Sequence, residues 1–150
     1  MKKIYLCGAM GCYDNPEEYM FWRRKIVSIY RDVADVFDPS EFYNYEHRMH
    51  KTEKEVMEYE LYHLIRSDLI ILNLDRVHES IGSIMEIAIA NDHNIPIIAF
   101  GAEDKMENLH PWIKECIFRH ENNMPDVITY INKYFLQKEL NRRCSQNESN

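Results

Sequence analysis

Apolar residues along the chain fall into two patterns, short unbroken runs and longer stretches with helical spacing. Residues 3–7, 33–37, 69–74 and 95–100 are runs of strand length. Leu69-Ile70-Ile71-Leu72 and the run ending at Phe100 are apolar at odd and even positions alike. Such strands bury both faces, as in a parallel sheet covered by helices on each side.

Between the runs the period changes to that of a helix. Asn15-Pro16-Glu17-Glu18 has the cap, the first-position proline and the early acids of a helix start, predicting a helix to about residue 31. Its apolar positions Tyr19, Trp22, Ile26, Ile29 and Tyr30 leave Arg23, Arg24 and Lys25 mostly toward solvent. Asp38-Pro39 stops the second strand, because proline lacks the ladder N–H. Residues 41–51 then hold Phe42, Tyr43, Tyr45, His47 and His50 without clean periodicity, which suits a flap over a pocket. Thr52 with Glu55 marks a capping box opening a helix to about 67, and Ser83 with Glu86 has the same spacing before a helix to about 91. Downstream the pattern predicts a loop over 101–111, a short edge strand over 115–119, a last helix over 125–140 and a frayed polar tail from 141.

Strands alternating with helices predict a doubly wound α/β fold of five parallel strands in flavodoxin-like order, one domain over residues 1–140. In such a sheet the residues just after each strand share one rim. That rim collects Gly8, Ala9 and Met10, then Asp38, then Asn73 and Asp75, then Gly82 to Glu86, with Tyr5 just below in the first strand.

Composition narrows the function. At 150 residues, 45% apolar and 29% charged, the chain is long enough for one buried core. Its 25 acids against 18 bases, a formal charge of −7, argue against a nucleic-acid partner. Cys7, Cys12, Cys116 and Cys144 have no CxxC spacing, so reduced thiols in a cytoplasmic setting are expected and neither a metal nor another cofactor is called for. The seven histidines, among them His63, His78, His93, His110 and His120, show no ligand spacing. Met1-Lys2-Lys3 and the short run after it mimic a signal peptide only faintly, and no segment has the length of a membrane span.

Glu86 is the residue of most chemical interest. A carboxylate near a helix N-terminus is held ionised and can attack a carbon that develops oxocarbenium character, such as sugar C1′. The plain alternative is a structural cap paired with Ser83. What separates the two is the company on the rim, since a cap gives no reason for a tyrosine, an amide and further carboxylates to gather around it. Cys7, beside that rim, is expected to be a small buried filler. Tyr43, Tyr45 and Trp112 are the aromatics available to stack on a base.

Lys3-Ile4-Tyr5-Leu6-Cys7-Gly8, Phe37-Asp38-Pro39, Ser67-Asp68-Leu69-Ile70, Asn73-Leu74-Asp75 and Gly82-Ser83-Ile84-Met85-Glu86-Ile87-Ala88 together resemble the nucleoside 2-deoxyribosyltransferase family. The likeness runs from residue 3 to 101, more loosely over 110–119 and the last helix. It implies that Glu86 is the nucleophile of a Gly-Thr-x-x-Glu turn and that Tyr5 orients it. It also places the acid that precedes Asp68 by eight residues on Glu60. Ser83 stands where threonine is common, Ala88 where glycine is usual and Glu60 where many members have aspartate. The resemblance further implies a nucleoside or nucleotide substrate, base exchange through a deoxyribosyl-glutamate ester, and a homo-oligomer. Ser80-Ile81-Gly82-x-x-x-Glu86 is similar also to the loop of 2′-deoxynucleoside 5′-phosphate N-hydrolases, in which Ser80, Ser83 and the helix N–H groups would receive a phosphate. A module that binds a nucleotide-like ligand without turnover is the third reading.

Overall fold

Strands that are apolar on both sides need a helix layer above and below, and the computed structural model, which describes residues 1–42 and 49–147, supplies both. Five parallel strands lie in the order β2-β1-β3-β4-β5. They are β1 (Lys2–Cys7), β2 (Ala34–Phe37), β3 (Leu69–Asn73), β4 (Ile97–Phe100) and β5 (Arg119–Glu121). This is the flavodoxin-like order expected from the alternation of runs. The helices are α1 (Glu17–Tyr30), α2 (Glu53–Leu64), α3 (Ile81–Asp92), α4 (Glu103–Glu107), α5 (Pro111–Cys116), α6 (Met124–Tyr134) and α7 (Gln137–Asn147). None of the described helices is long and apolar enough to cross a membrane.

The period of two along each strand sorts the core into halves. Ile4, Leu6, Ile71 and Ile98 face α1 and α6 and pack with Trp22, Ile26, Val127 and Ile131. Tyr5, Cys7, Ile70, Leu72 and Ala99 face the other way, toward α2 and α3, and pack with Leu64, Ile87 and Ala90. Tyr5 and Cys7 therefore share the face against which α3 lies. Gly8 ends β1 where space is short: a Cβ there would stand 3.2 Å from Trp22 and 3.3 Å from the Cβ of Asn73.

Several elements differ from the pattern-based expectation. Asn15 does accept the Glu17 N–H at 3.1 Å, and the Thr52–Glu55 capping box forms as read. Arg23, however, is buried rather than solvated, with 1% exposure. α3 is capped by Ser80, whose hydroxyl accepts the Ser83 N–H, so the Ser83–Glu86 capping box does not form. Ser80 is extended and its Oγ also donates to Ser83 Oγ at 2.9 Å, which draws Ile81 and Gly82 into the first turn and puts Glu86 one turn deeper. The 101–111 loop contains α4, and His110, accepting the Trp112 N–H ahead of Pro111, starts α5. The edge strand is thereby pushed from 115–119 to β5. The last helix breaks at Phe135 and Leu136, whose N–H groups both reach the Ile131 carbonyl while Leu136 turns fully into the core. The chain beyond it is helical as far as Asn147 rather than frayed, tied back by Arg143 to Asp32 at 3.0 Å.

Candidate active site

The rim after β1 and the start of α3 enclose, with α2 above them, a cavity of about 830 Å³. That lies within the range of roughly 300–1,000 Å³ typical of small-molecule sites. Gly8, Met10, Gly82, Ser83 and Glu86 line it from the rim, and Glu60 and Ser80 line it as well.

Glu86 is held from the sheet side. The Tyr5 hydroxyl donates to Oε1 at 2.6 Å and the Cys7 thiol to Oε2 at 3.0 Å. Both donors come from one face of β1, two residues apart, and the carboxylate reaches them because α3 starts at Ser80. Burial pushes the Glu86 carboxyl above the usual range, opposed by these two hydrogen bonds and by the positive charge of Arg23. Burial first, and then the charge of Glu86, pushes Tyr5 well up, so its hydroxyl keeps its proton. The Tyr5 ring is itself fixed by stacking on Phe37 at 5.4 Å, and Phe37 stacks in turn on Phe42 and His63.

Glu60 comes from α2. Burial and the nearby negative charge of Glu86 raise its pKa to about 7, well above an ordinary glutamate. Glu86 and Glu60 thus line the cavity in unlike surroundings, one gripped by two donors and one poised to exchange a proton near neutrality.

Asp38, Asn73 and Asp75 do not line the cavity. Asp38 is 2% exposed and turned away from the cavity, its Oδ1 accepting from Arg23 and from the Ser40 backbone and hydroxyl. Asn73 accepts the Asp75 N–H at 2.9 Å. Asp75 takes the Tyr13 hydroxyl and the Lys105 ammonium, each at 2.6 Å, and so ties the loop after β1 to the loop after β3. Ala9 is buried and does not line the cavity. Trp112 is exposed on α5, also outside the cavity lining. Tyr43, Tyr45 and His47, with most of the expected flap, lie outside the described residues.

Two residues at the site were not singled out by the pattern. Cys7 is buried like a filler but donates to Glu86, and its period-two relation to Tyr5 was the available signal. Arg23 lies under the cavity floor, where Nη1 donates to the Leu6 carbonyl at 3.0 Å and Nη2 to the Gly8 carbonyl at 2.9 Å. Its spacing from Tyr19, Ile26 and Tyr30 puts it on their stripe of α1.

No protein-family model matches the chain, and no curated protein sequence matches it either. In three dimensions it is similar to a 2-deoxyribosyltransferase from Bacillus psychrosaccharolyticus, at 19% identity and TM-score 0.65 over 83% of this chain and 89% of that one. It is similar also to a CMP N-glycosidase from Clostridium botulinum, at 16% identity and TM-score 0.58 over 89% and 100% of the two chains. A conserved protein from Enterococcus faecalis V583 superimposes at 16% identity and TM-score 0.68, covering 89% and 98%. At these identities the likeness is one of fold, five parallel strands in flavodoxin-like order.

Proposed function

We propose that the protein exchanges the base of a 2′-deoxynucleoside by a retaining double displacement. The observation that carries this reading is the Glu86 carboxylate, held at both oxygens on the wall of a nucleoside-sized cavity. In the first step a Glu86 oxygen bonds to C1′ as the C1′–N bond breaks, and the bond's electron pair leaves with the base, which takes the Glu60 proton. In the second step a nitrogen of the incoming base bonds to C1′, the ester bond breaks back to the Glu86 carboxylate, and the nitrogen's proton passes to Glu60. Two inversions give retention.

The charges around the cavity favour an uncharged nucleoside. Among the described lining residues, Glu53, Glu60, Glu79 and Glu86 outnumber the cations Arg23 and Lys54, and Glu79 is itself paired with Arg76. Arg23 is already engaged with Leu6, Gly8 and Asp38, and Lys54 pairs with Glu58. Ser80 and Ser83 at the start of α3 support a second reading, hydrolysis of a nucleoside 5′-monophosphate bound there, in line with the CMP N-glycosidase among the similar structures. Incubation with a deoxynucleoside plus a second free base, and separately with a monophosphate, decides between them. Base exchange is expected. Free sugar phosphate from the monophosphate would favour the second reading, and intact ligand with measurable binding would mean a module without turnover.

If Glu60 supplies the proton, it must carry one at the start of the cycle. Its pKa of about 7 then sets an alkaline limb: kcat falls as pH rises through about 7, opposite to the acid limb on which Glu86 takes up its proton. Glu60→Gln, with no proton to give, should be slow and flat across that range. A wild-type profile level from pH 6 to pH 9, chosen as about one unit below and two above that pKa, would remove Glu60 from the role.

The same reading carries a cytoplasmic homo-oligomer. All four cysteines are unpaired thiols, and Ile81, 76% exposed, stands in the first turn of α3 near the half-exposed, cavity-lining Met85, where a neighbouring subunit would cover both.

A further inference from the structure

Tyr5 holds only one of the two Glu86 oxygens, and one hydrogen bond does not fix a carboxylate. The last torsion of a glutamate is broad and roughly two-fold, so a group held at Oε1 alone can still rotate its other oxygen. The second oxygen is met by Cys7. Its Sγ stands 3.0 Å from Oε2 and 3.8 Å from the Ser83 carbonyl, so the carboxylate is the nearer acceptor. The thiol is 1% exposed, and burial, followed by the charge of Glu86, pushes its pKa well up. A sulfur in that state is no nucleophile and no ready target for oxidants, but it keeps its proton and can donate at every working pH.

We propose that Cys7 is a positioning residue for the Glu86 nucleophile: its thiol locks Oε2 while the Tyr5 hydroxyl locks Oε1, fixing the carboxylate plane before substrate arrives. A thiol suits the place because it is a weak donor. It restrains the group while withdrawing less charge from the attacking oxygens than a second hydroxyl would. A cysteine that merely filled space would be matched by alanine or serine alike, whereas a donor is matched by serine only.

The inference rests on the reading of Glu86 as nucleophile, and its test separates the two. Cys7→Ala should lower kcat about three- to tenfold with KM little changed, the size expected for losing one modest hydrogen bond. Loss of a donor to the charged form should also move the acid limb of kcat to higher pH. Cys7→Ser should restore most of the rate and the original limb. Carbon-13 NMR of the Glu86 carboxylate reads the same pairing without turnover: its titration should shift to higher pH in Cys7→Ala and stay near wild type in Cys7→Ser. Should either variant fail to fold, the infrared S–H stretch of the otherwise wild-type protein should change on Glu86→Gln. Wild-type turnover with an unchanged profile and titration in Cys7→Ala would overturn the role of Cys7 alone. Absence of any glycosyl transfer or hydrolysis in the wild type would overturn the functional reading, and the NMR titration would still decide whether Cys7 grips the carboxylate.

Discussion

Glu86→Gln should reduce turnover by about 10³-fold or more while leaving the fold intact, because it removes the nucleophile and almost nothing else. α3 does not depend on that side chain. Its start is capped by Ser80, and Ile87 and Ala90 anchor it in the core. The glutamine carbonyl can still accept from Tyr5. Stability should move the opposite way from activity, and the sign follows from the raised carboxyl pKa. The folded protein takes up the Glu86 proton more readily than the unfolded chain, so the contribution of the protonated form is complete below the ordinary glutamate pKa of about 4.5. It is lost as pH rises through the higher folded value. Glutamine, always neutral, escapes that loss. The Tm of Glu86→Gln should therefore match wild type in acid and exceed it at neutral pH. Turnover near wild type would end the nucleophile assignment, and a lower Tm at neutral pH would mean that Glu86 is a structural group after all.

How far this site could be read from the chain depends on which signal each residue leaves. Parallel strands announce themselves by apolar residues on both faces, so Leu69-Ile70-Ile71-Leu72 and the order of alternating elements were enough for the sheet. Tyr5 and Glu86 lie on opposite sides of a predictable contact, strand against crossover helix. Helix caps are less decisive, because two serines three residues apart compete. Ser80 and Ser83 both have a legitimate claim, and only the extended backbone at Ser80 settled which one opens α3. Asp38, Asn73 and Asp75 follow their strands as rim residues should, yet local backbone donors and nearby cations claim their oxygens. A rim position gives an address but no direction. Arg23 fails in the other sense: its charge argues for solvent while its spacing argues for the core, and the partners that resolve the conflict come from β1 and from Asp38, which helical periodicity cannot reveal.

Asp38→Ala should be among the most destabilising single changes in the protein, costing about 3–5 kcal/mol, because it strands a buried cation. Arg23 and Asp38 meet at 3.3 Å with 1% and 2% exposure. Without the carboxylate the guanidinium keeps its charge, and two backbone carbonyls at the end of β1 remain to satisfy it. Among the described residues its Nε already has no hydrogen-bond partner. Stability alone is poor justification for such a pair, since an apolar pair of similar volume often does as well. The service Arg23 renders is electrostatic, for its charge draws both the Glu86 and the Glu60 carboxyl groups down against the effect of burial. Chemical denaturation and kinetics of Arg23→Met/Asp38→Asn separate these roles. The double variant should recover most of the stability lost in Asp38→Ala, while the limbs of its kcat profile set by Glu86 and Glu60 shift to higher pH. Recovery of stability with an unshifted profile would show that the pair only holds β1 against α1. The shifted profile would make Arg23 the counter-charge that allows the buried Glu86 and Glu60 carboxyl groups to share one cavity.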